Sequence, residues 1–487
     1  MLERINQILG VATPFAVLAA GIFFACFLRG LPFSRLRTGL RAVLRQRNDG
    51  VSPFRSLALA LAGTLGVGNI VGVSSAIALG GFGAVFWMWI SALAAMFLKY
   101  AEVVLALKHR ETLPNGTYRG GAPYYIRACF SQRGTLRLGN GASLLFAALC
   151  LVNALMMGCV IQSNAVASAS QSAFGVSPWI CGLLLALLCF TLLIRGSHAI
   201  TAVTSVLVPV MSGAFLILSL SILYLRRDSI PEAFLAIVKD AFRPESTAGG
   251  VFGFLLSRGL RFGTIRGIIS NEAGCGTSPT AHAASSAKSP VEQGMFGIIE
   301  VFVDTILLCT VTALVVVIHY EEVSHLTADP MGMTLAAYCI PFDATCAAFI
   351  KRLLSLAILC FGFATMLCWG HYGHEALAFL LHVATRKKAP DADGKNRSTL
   401  IFSLCFCAAA LLGAVAAPLL IWSLTDLVTG VMTLLNTSVL CLCAKQIRGE
   451  TFSYFGTRKG RTRRRDRPHS AKPPSQNVRV STALRRP

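Results

Sequence analysis

Residues 56–79 read SLALALAGTLGVGNIVGVSSAIAL, and the reading of this stretch decides the rest of the chain. It is long enough to cross a bilayer at about 20 residues per span. Yet Gly63, Gly66, Gly68 and Gly72 crowd its middle, and each glycine weakens a helix by roughly 1 kcal/mol against alanine. A lipid-facing helix gains nothing from that, because freed backbone N–H and C=O groups find no water in hydrocarbon. The pattern makes sense if the segment unwinds inside a protein-lined cavity and offers those groups to a solute or an ion, as in midplane sites of secondary transporters. The other reading is a run of small residues that lets helices pack closely.

Composition sets the class. The 487 residues are 54% hydrophobic and only 14% charged, with a mean hydropathy of +0.64. The apolar residues fall in about eleven runs of bilayer length: 9–28, 56–79, 82–107, 143–166, 178–194, 199–225, 249–270, 294–318, 349–382, 398–421 and 424–444. These runs predict an all-α polytopic membrane protein embedded in the lipid bilayer. The first run is too long for a signal-peptide core, and Arg29, Arg35 and Arg37 follow it. The 16 cysteines are scattered through apolar runs without paired spacing beside histidines, so no transition-metal site and no disulfide frame is expected.

The net charge of +22 is topological. Arg35, Arg37, Arg41, Arg45, Arg47 and Arg55 separate the first two runs, and Lys108, Arg110, Arg119, Arg127, Arg133 and Arg137 separate the third and fourth. Arg386, Lys387, Lys388, Lys395 and Arg397 follow the ninth, and the tail carries RTRRRDR at 461–467. By contrast, 167–177 has no charge, and 319–348 carries Glu321, Glu322, Asp329 and Asp343 but no Lys or Arg. All strongly basic loops fall on one side, so the positive-inside rule puts the N-terminus outside and the C-terminus in the cytoplasm. The basic tail, 446–487, is expected to be disordered and cytoplasmic rather than nucleic-acid-binding.

A second irregular run lies five spans after the first. Residues 249–270 read GGVFGFLLSRGLRFGTIRGIIS, with Gly249, Gly250, Gly253, Gly259, Gly263 and Gly267, and with Arg258, Arg261 and Arg266 at membrane depth. Charges there are expensive and normally face a cavity or a partner. Two broken segments at corresponding places predict an inverted repeat, with 56–225 as its first half and 226–445 as its second. Residues 1–55 are then an extra helix and a basic loop.

The run GTLGVGNIVGVSSAIALGGFGAVFWMWISALAAMFLKYAEVVLALKHR at 63–110 resembles the alanine/glycine:cation symporters. So do RGIISNEAGCGTSPTAHAA at 266–284, G-x-x-x-Q-x-N at 158–164 and W-x-x-Y-G at 369–373. The resemblance covers about residues 50–445 and implies a leucine-transporter-like fold: two inverted five-helix repeats plus one extra N-terminal helix. It implies symport of a small neutral amino acid with Na⁺, or in some members H⁺, without covalent chemistry or any other cofactor.

The resemblance also directs attention to single residues. Gly66, Gly68 and Asn69 are candidates for the substrate carboxylate, since the half-helix that begins there points its N–H groups and positive dipole end at an anion. The other reading of Asn69 is a helix cap. Gln162 carries two donors and an acceptor, so it either bridges substrate carboxylate and ammonium or ties helices together. Asn164 points elsewhere and reads as structural. Trp369 stands where the family walls the side-chain pocket; its other reading is an interfacial belt residue. Gly259 and Gly263 are further candidate substrate contacts. Thr365, one helical turn before Trp369, and Gly66 are the candidates for Na⁺. Where the family shows a Thr-Thr pair this chain has Ala364-Thr365, where it often has threonine this chain has Val67, and a family tyrosine is replaced by His371.

Arg266, Glu272 and His282 read as a gate or a structural ion-pair network rather than as an acid–base relay. Lys99 and Glu102, three apart on one face, read as an intrahelical pair or as snorkelling groups. The expected function is Na⁺-coupled uptake of alanine or glycine. The alternatives are a proton-coupled permease and an uncoupled channel or sensor; an enzyme is not expected, because no catalytic constellation occurs.

Overall fold

The computed structural model describes residues 2–37, 51–114, 116–242, 258–385, 397–416 and 418–465. The expected roles of Gly249, Gly250 and Gly253, and of the basic residues within 38–50, 386–396 and 466–487, lie outside the described residues. The main helices are α1 (Leu2–Phe27), α2 (Pro53–Thr64), α3 (Val71–Gly80) and α4 (Gly83–Lys108). Next come α5 (Leu136–Phe174), α6 (Pro178–Ile194), α7 (Ser197–Leu225) and α8 (Arg258–Asn271). The last are α9 (Pro290–Ile318), α10 (Ala344–Thr385), α11 (Arg397–Val415), α12 (Pro418–Leu442) and α13 (Ala444–Arg465). The described strands are two residues long, Glu111–Thr112 paired antiparallel with Tyr118–Arg119.

Among the described residues, 8 helices are long and apolar enough to cross a membrane. All the apolar runs contain a helix; those outside that set are the broken 56–79, the short α6 and the partly described 249–270. Ser52 starts α2 by accepting a hydrogen bond from the Arg55 N–H, with Pro53 in the first turn, where its missing donor costs nothing. Helical geometry stops at Thr64. Gly66 is extended, Val67–Asn69 form a single 3₁₀ turn, and α3 resumes at Val71. The glycine-rich centre of 56–79 is therefore unwound.

The second irregular segment differs from the sequence expectation. Its described part, Arg258–Asn271, is a regular helix, and its glycines face a neighbour. A side chain at Gly263 would strike the backbone of Ala84, Gly259 lies against the Gly80 carbonyl, and Gly267 lies against Ser91. Small residues at every fourth position let α8 lie close on α4. The break comes afterwards, where Glu272, Gly274 and Gly276 have φ of 52°, 85° and 79°. Glutamate in that left-handed region is strained, and the alternating glycines beside it are not.

Two helices change pitch without breaking. α5 carries a π-helical turn at Met156–Ile161 and α9 carries one at Phe302–Cys309. A π turn adds a residue and re-aims the side chains beyond it. The basic tail also departs from the disorder expected of it. Its first part is α13, whose Thr451 hydroxyl meets Tyr100 at 2.8 Å and whose Tyr454 hydroxyl donates to Glu292 at 2.7 Å. Those contacts give a polar helix one anchored side.

Candidate functional site

Unwinding at Leu65 and Gly66 strands the last carbonyls of α2 and the amides that follow, and four of these groups find a side chain. The Thr365 hydroxyl donates to the carbonyl of Ala62 at 3.0 Å and reaches that of Leu65 at 3.4 Å. The Val67 N–H donates to Gln162 Oε1 at 3.2 Å, and the Gly66 N–H donates to Asn69 Oδ1 at 3.0 Å. A Cβ on Gly66 would lie 2.7 Å from the Thr365 hydroxyl and 3.2 Å from Gln162 Oε1. Only glycine lets backbone, hydroxyl and amide converge there. Gly68, alone between Ala62 and Ile70, is not fully buried, and a Cβ added there would meet nothing nearer than Ser270 Cα at 3.7 Å.

Asn69 faces inward. Its Nδ2 donates to Asp304 Oδ1 at 2.6 Å and to Ser270 Oγ at 3.0 Å. Asp304 sits in the π turn of α9, and its other oxygen accepts from Ser270 at 2.9 Å and from Thr305 at 2.7 Å. Thr305 in turn accepts from Asn271 Nδ2 at 3.0 Å. The carboxylate is fully buried and is held by neutral donors on three elements. Sequence reasoning passed over Asp304, although an aspartate inside the apolar run 294–318 is a default functional candidate at membrane depth.

Gln162 follows the π turn of α5, and its Nε2 donates to the Met157 carbonyl at 3.3 Å. Trp369 is buried and packs on Gly158 in that same turn, where any side chain would overlap the indole. It meets Tyr372 edge-on, with ring centroids 5.5 Å apart. Tyr372 and Cys368 cover Gly63 of α2, so α10 lays Thr365, Cys368 and Tyr372 along the first half of the broken segment. His371 points away, into a small space lined by Leu193, Ile200, Thr399 and Ser403. Asn164 also turns away and donates to the carbonyls of Gly413 and Ala416 at the end of α11.

The structure thus brings Gly66, Gly68, Asn69, Gln162 and Thr365 together around one break, with Trp369 on Gly158, four residues before Gln162. It places Gly259 and Gly263 on the α4 interface instead. Among the described residues no cluster of His, Cys, Asp or Glu is arranged for a metal. The oxygens of Ala62, Leu65 and Thr365 do converge, and neutral oxygen donors suit a hard cation.

Arg266, Glu272 and His282 are not one group. Arg266 lies near Asp426 of α12 at 3.8 Å and stacks over Trp422 at 4.7 Å. Glu272 and His282 lie beyond the other end of α8, in a second cluster. There Lys99 donates to Ser278 at 2.5 Å and pairs with Glu300 at 3.3 Å. His282 Nε2 is 2.9 Å from the other Glu300 oxygen, with its Nδ1 2.8 Å from Gln293. Glu272 accepts from Thr277 at 2.6 Å. Glu102 does not pair with Lys99, contrary to expectation. It accepts from the Gly276 N–H at 3.0 Å and from Asn436 at 2.6 Å. Both side chains are buried beside loop 272–278, so neither snorkels: Glu102 takes the loop's Gly276 amide, and Lys99 takes the Ser278 hydroxyl and Glu300.

The chain matches the model of the sodium:alanine symporter family over residues 1–467. It is 32% identical over 448 residues to the sodium/alanine symporter AgcS of Methanococcus maripaludis, covering 91% of this chain and 94% of that one. It is 30% identical over 436 residues to the probable sodium/glutamine symporter GlnT of Bacillus subtilis, covering 88% of this chain and 85% of the relative. A Na⁺-coupled sialic acid symporter, solved substrate-bound and outward-open, superposes with a TM-score of 0.55 at 16% identity, covering 88% and 85% of the two chains. The fold is leucine-transporter-like.

Proposed function

The chain belongs to the sodium:alanine symporter family, and from that premise we propose that it carries alanine and glycine into the cell with Na⁺ by alternating access. It is a multi-pass membrane transporter, not an enzyme. The observation that carries the finer reading is the convergence of Gln162 and Thr365 on backbone unwound at Gly66, with Trp369 packed on Gly158 in the turn that precedes Gln162. The substrate carboxylate meets the exposed backbone at Gly68 and the N-terminal end of α3, where the helix dipole favours an anion. Gln162 keeps one amide hydrogen and one lone pair beyond its two protein bonds, enough to touch the zwitterion. Asn69 spends its amide on Gly66, Ser270 and Asp304 and so shapes the break rather than contacting the substrate.

Na⁺ takes the oxygens of Ala62, Leu65 and Thr365, displacing the hydroxyl proton from its present acceptors. One Na⁺ crossing about 100 mV releases about 2.3 kcal/mol, and a tenfold gradient adds about 1.4 kcal/mol. That concentrates a neutral solute by roughly a few hundred-fold. Trp369 closes the side-chain pocket against larger residues. One relative is named for alanine and the other for glutamine, side chains of different size, so pocket size is the feature to test.

Purified protein in proteoliposomes should take up labelled alanine when an inward Na⁺ gradient is imposed. Uptake that ignores Na⁺ and follows an imposed proton gradient rejects the coupling ion; equilibration without accumulation rejects symport. Trp369→Ala should let leucine compete with alanine, whereas alanine uptake that stays normal and leucine-resistant removes Trp369 from the pocket wall. The N-terminus faces outside and the C-terminus the cytoplasm in this reading. An impermeant thiol reagent on intact cells should then label a cysteine introduced at 320–345 and spare one at 450–465.

A further inference from the structure

The short helix Ala122–Ser131 is tied to α12 by two rungs. In the first, the Tyr125 hydroxyl donates to Asn436 Oδ1 at 2.5 Å. The second lies one turn further along the short helix and just past the end of α12, where the Cys129 and Cys443 thiols meet side chain to side chain. A single guanidinium brackets that contact. Arg133 donates to the Cys129 sulfur at 3.0 Å and to the carbonyl of Leu442, the residue before Cys443, at 2.5 Å. Both cysteines are buried, and Arg133 and Leu442 beside them are exposed, so the pair lies one side chain below the surface. A cysteine reacts as its thiolate. The hydrogen bond from Cys443 and the Arg133 guanidinium hold the Cys129 thiol below its ordinary value, with burial opposing them. Lys108, which pairs with Glu450 at 2.7 Å, is the other charged group that faces the pair.

We propose that Cys129 and Cys443 are a redox switch, joined into a disulfide by hydrogen peroxide and released by a dithiol. The Cys129 thiolate attacks one peroxide oxygen, the O–O bond breaks, and hydroxide leaves a sulfenic acid on Cys129. The Cys443 sulfur then attacks the Cys129 sulfur, and the hydroxyl departs as water with the Cys443 proton. Two thiols and one peroxide thus become one disulfide and two waters. A bulky thiol cannot reach either buried sulfur, so the sulfenic acid is resolved by its neighbour. A dithiol reverses the bond and is itself oxidised. Such bonds on a cytoplasmic face are transient and regulatory. Asn436 carries the consequence inward. Besides accepting from Tyr125, it donates to Glu102 at 2.6 Å and to the Gly274 carbonyl at 2.8 Å, so the first rung already reaches the second break. A covalent second rung stops the short helix and α12 from sliding past each other and slows transport. That last step rests on the transport reading above; the bond itself does not.

The full chain in proteoliposomes, reduced, freed of reductant and treated with hydrogen peroxide at neutral pH, tests both parts. After denaturation, alkylation and digestion, mass spectrometry should find the peptides of Cys129 and Cys443 joined, and the join should vanish in Cys129→Ser and in Cys443→Ser. Arg133→Gln should slow the joining roughly fivefold and move its pH profile upward, a shift that a merely structural arginine would not cause. No join, sulfinic acid on Cys129 without one, or a bond from Cys129 to the exposed Cys441 overturns the pair. Alanine uptake should fall at least threefold on oxidation, return with dithiothreitol, and resist peroxide in Cys443→Ser. Complete joining with unchanged uptake overturns the switch. Protein that takes up no alanine even when reduced overturns the substrate reading instead, and the mass measurement still decides the bond.

Discussion

The chain abandons helical geometry at Leu65–Asn69 and again at Glu272–Ser278, and these two breaks are satisfied by different chemistry. At the first, stranded backbone meets neutral groups: the Thr365 hydroxyl and the amides of Gln162 and Asn69. At the second, the loop is clamped by charged side chains. Glu102 holds the Gly276 amide, and Lys99 holds Ser278 while pairing with Glu300, itself bonded to His282. Neutral donors and acceptors exchange partners at little cost, since each bond is worth about 0.5–1.5 kcal/mol net. Breaking a buried charge pair costs about 3–5 kcal/mol. One break is thus built to trade its partners for a solute and an ion, and the other to keep them.

The largest effect expected from that contrast is Lys99→Met. It leaves Glu300 buried without its cation and should destabilise the fold by about 3–5 kcal/mol, read as a large fall in thermal melting in detergent. Adding Glu300→Gln should recover much of the loss. If Lys99→Met instead spares melting and changes alanine affinity, the second break belongs to the binding machinery and the contrast fails.

Next comes Asp304→Ala, which removes the acceptor shared by Asn69, Ser270 and Thr305. An unpaired buried donor costs about 1–3 kcal/mol, so alanine uptake should fall tenfold to a hundredfold. Melting should move less than for Lys99→Met, because no opposite charge is orphaned. An uptake rate within twofold of the unmodified protein would show that Asn69 needs no such anchor.

The smallest effect is on the ion. Thr365→Val removes one neutral ligand, worth about 1 kcal/mol, and should raise the Na⁺ concentration for half-maximal uptake about fivefold. Ala364→Thr adds a hydroxyl beside it and should shift the requirement the other way. An unchanged Na⁺ dependence in both variants would take this face of α10 out of ion binding.

Much of this was legible before any coordinates. Glycines in the middle of 56–79 announce a break, because no lipid-facing helix tolerates them, and the break is where expected. The glycines of 249–270 mislead for the opposite reason. Gly259, Gly263 and Gly267 recur every fourth residue, a period that a regular helix uses to pack, and a backbone-opening reading looks identical when only composition is weighed. The true second break, NEAGCG, reads as a motif, but its strain is carried by Glu272, a residue type that gives no local sign of a left-handed φ.

Sequence alone determined the class, the runs that become helices and the first break, since each follows from local composition against a fixed bilayer thickness. It also singled out Gln162, Thr365 and Trp369, which the resemblance named one by one. Tertiary structure alone decided which polar groups meet. Asp304 lies 235 positions from Asn69, Glu102 lies 334 positions from Asn436, and the π turns at Met156–Ile161 and Phe302–Cys309 rotate the faces on which Gln162 and Asp304 stand. A hydrogen bond tolerates only a few tenths of an ångström, and no periodicity in the chain specifies helix positions that finely.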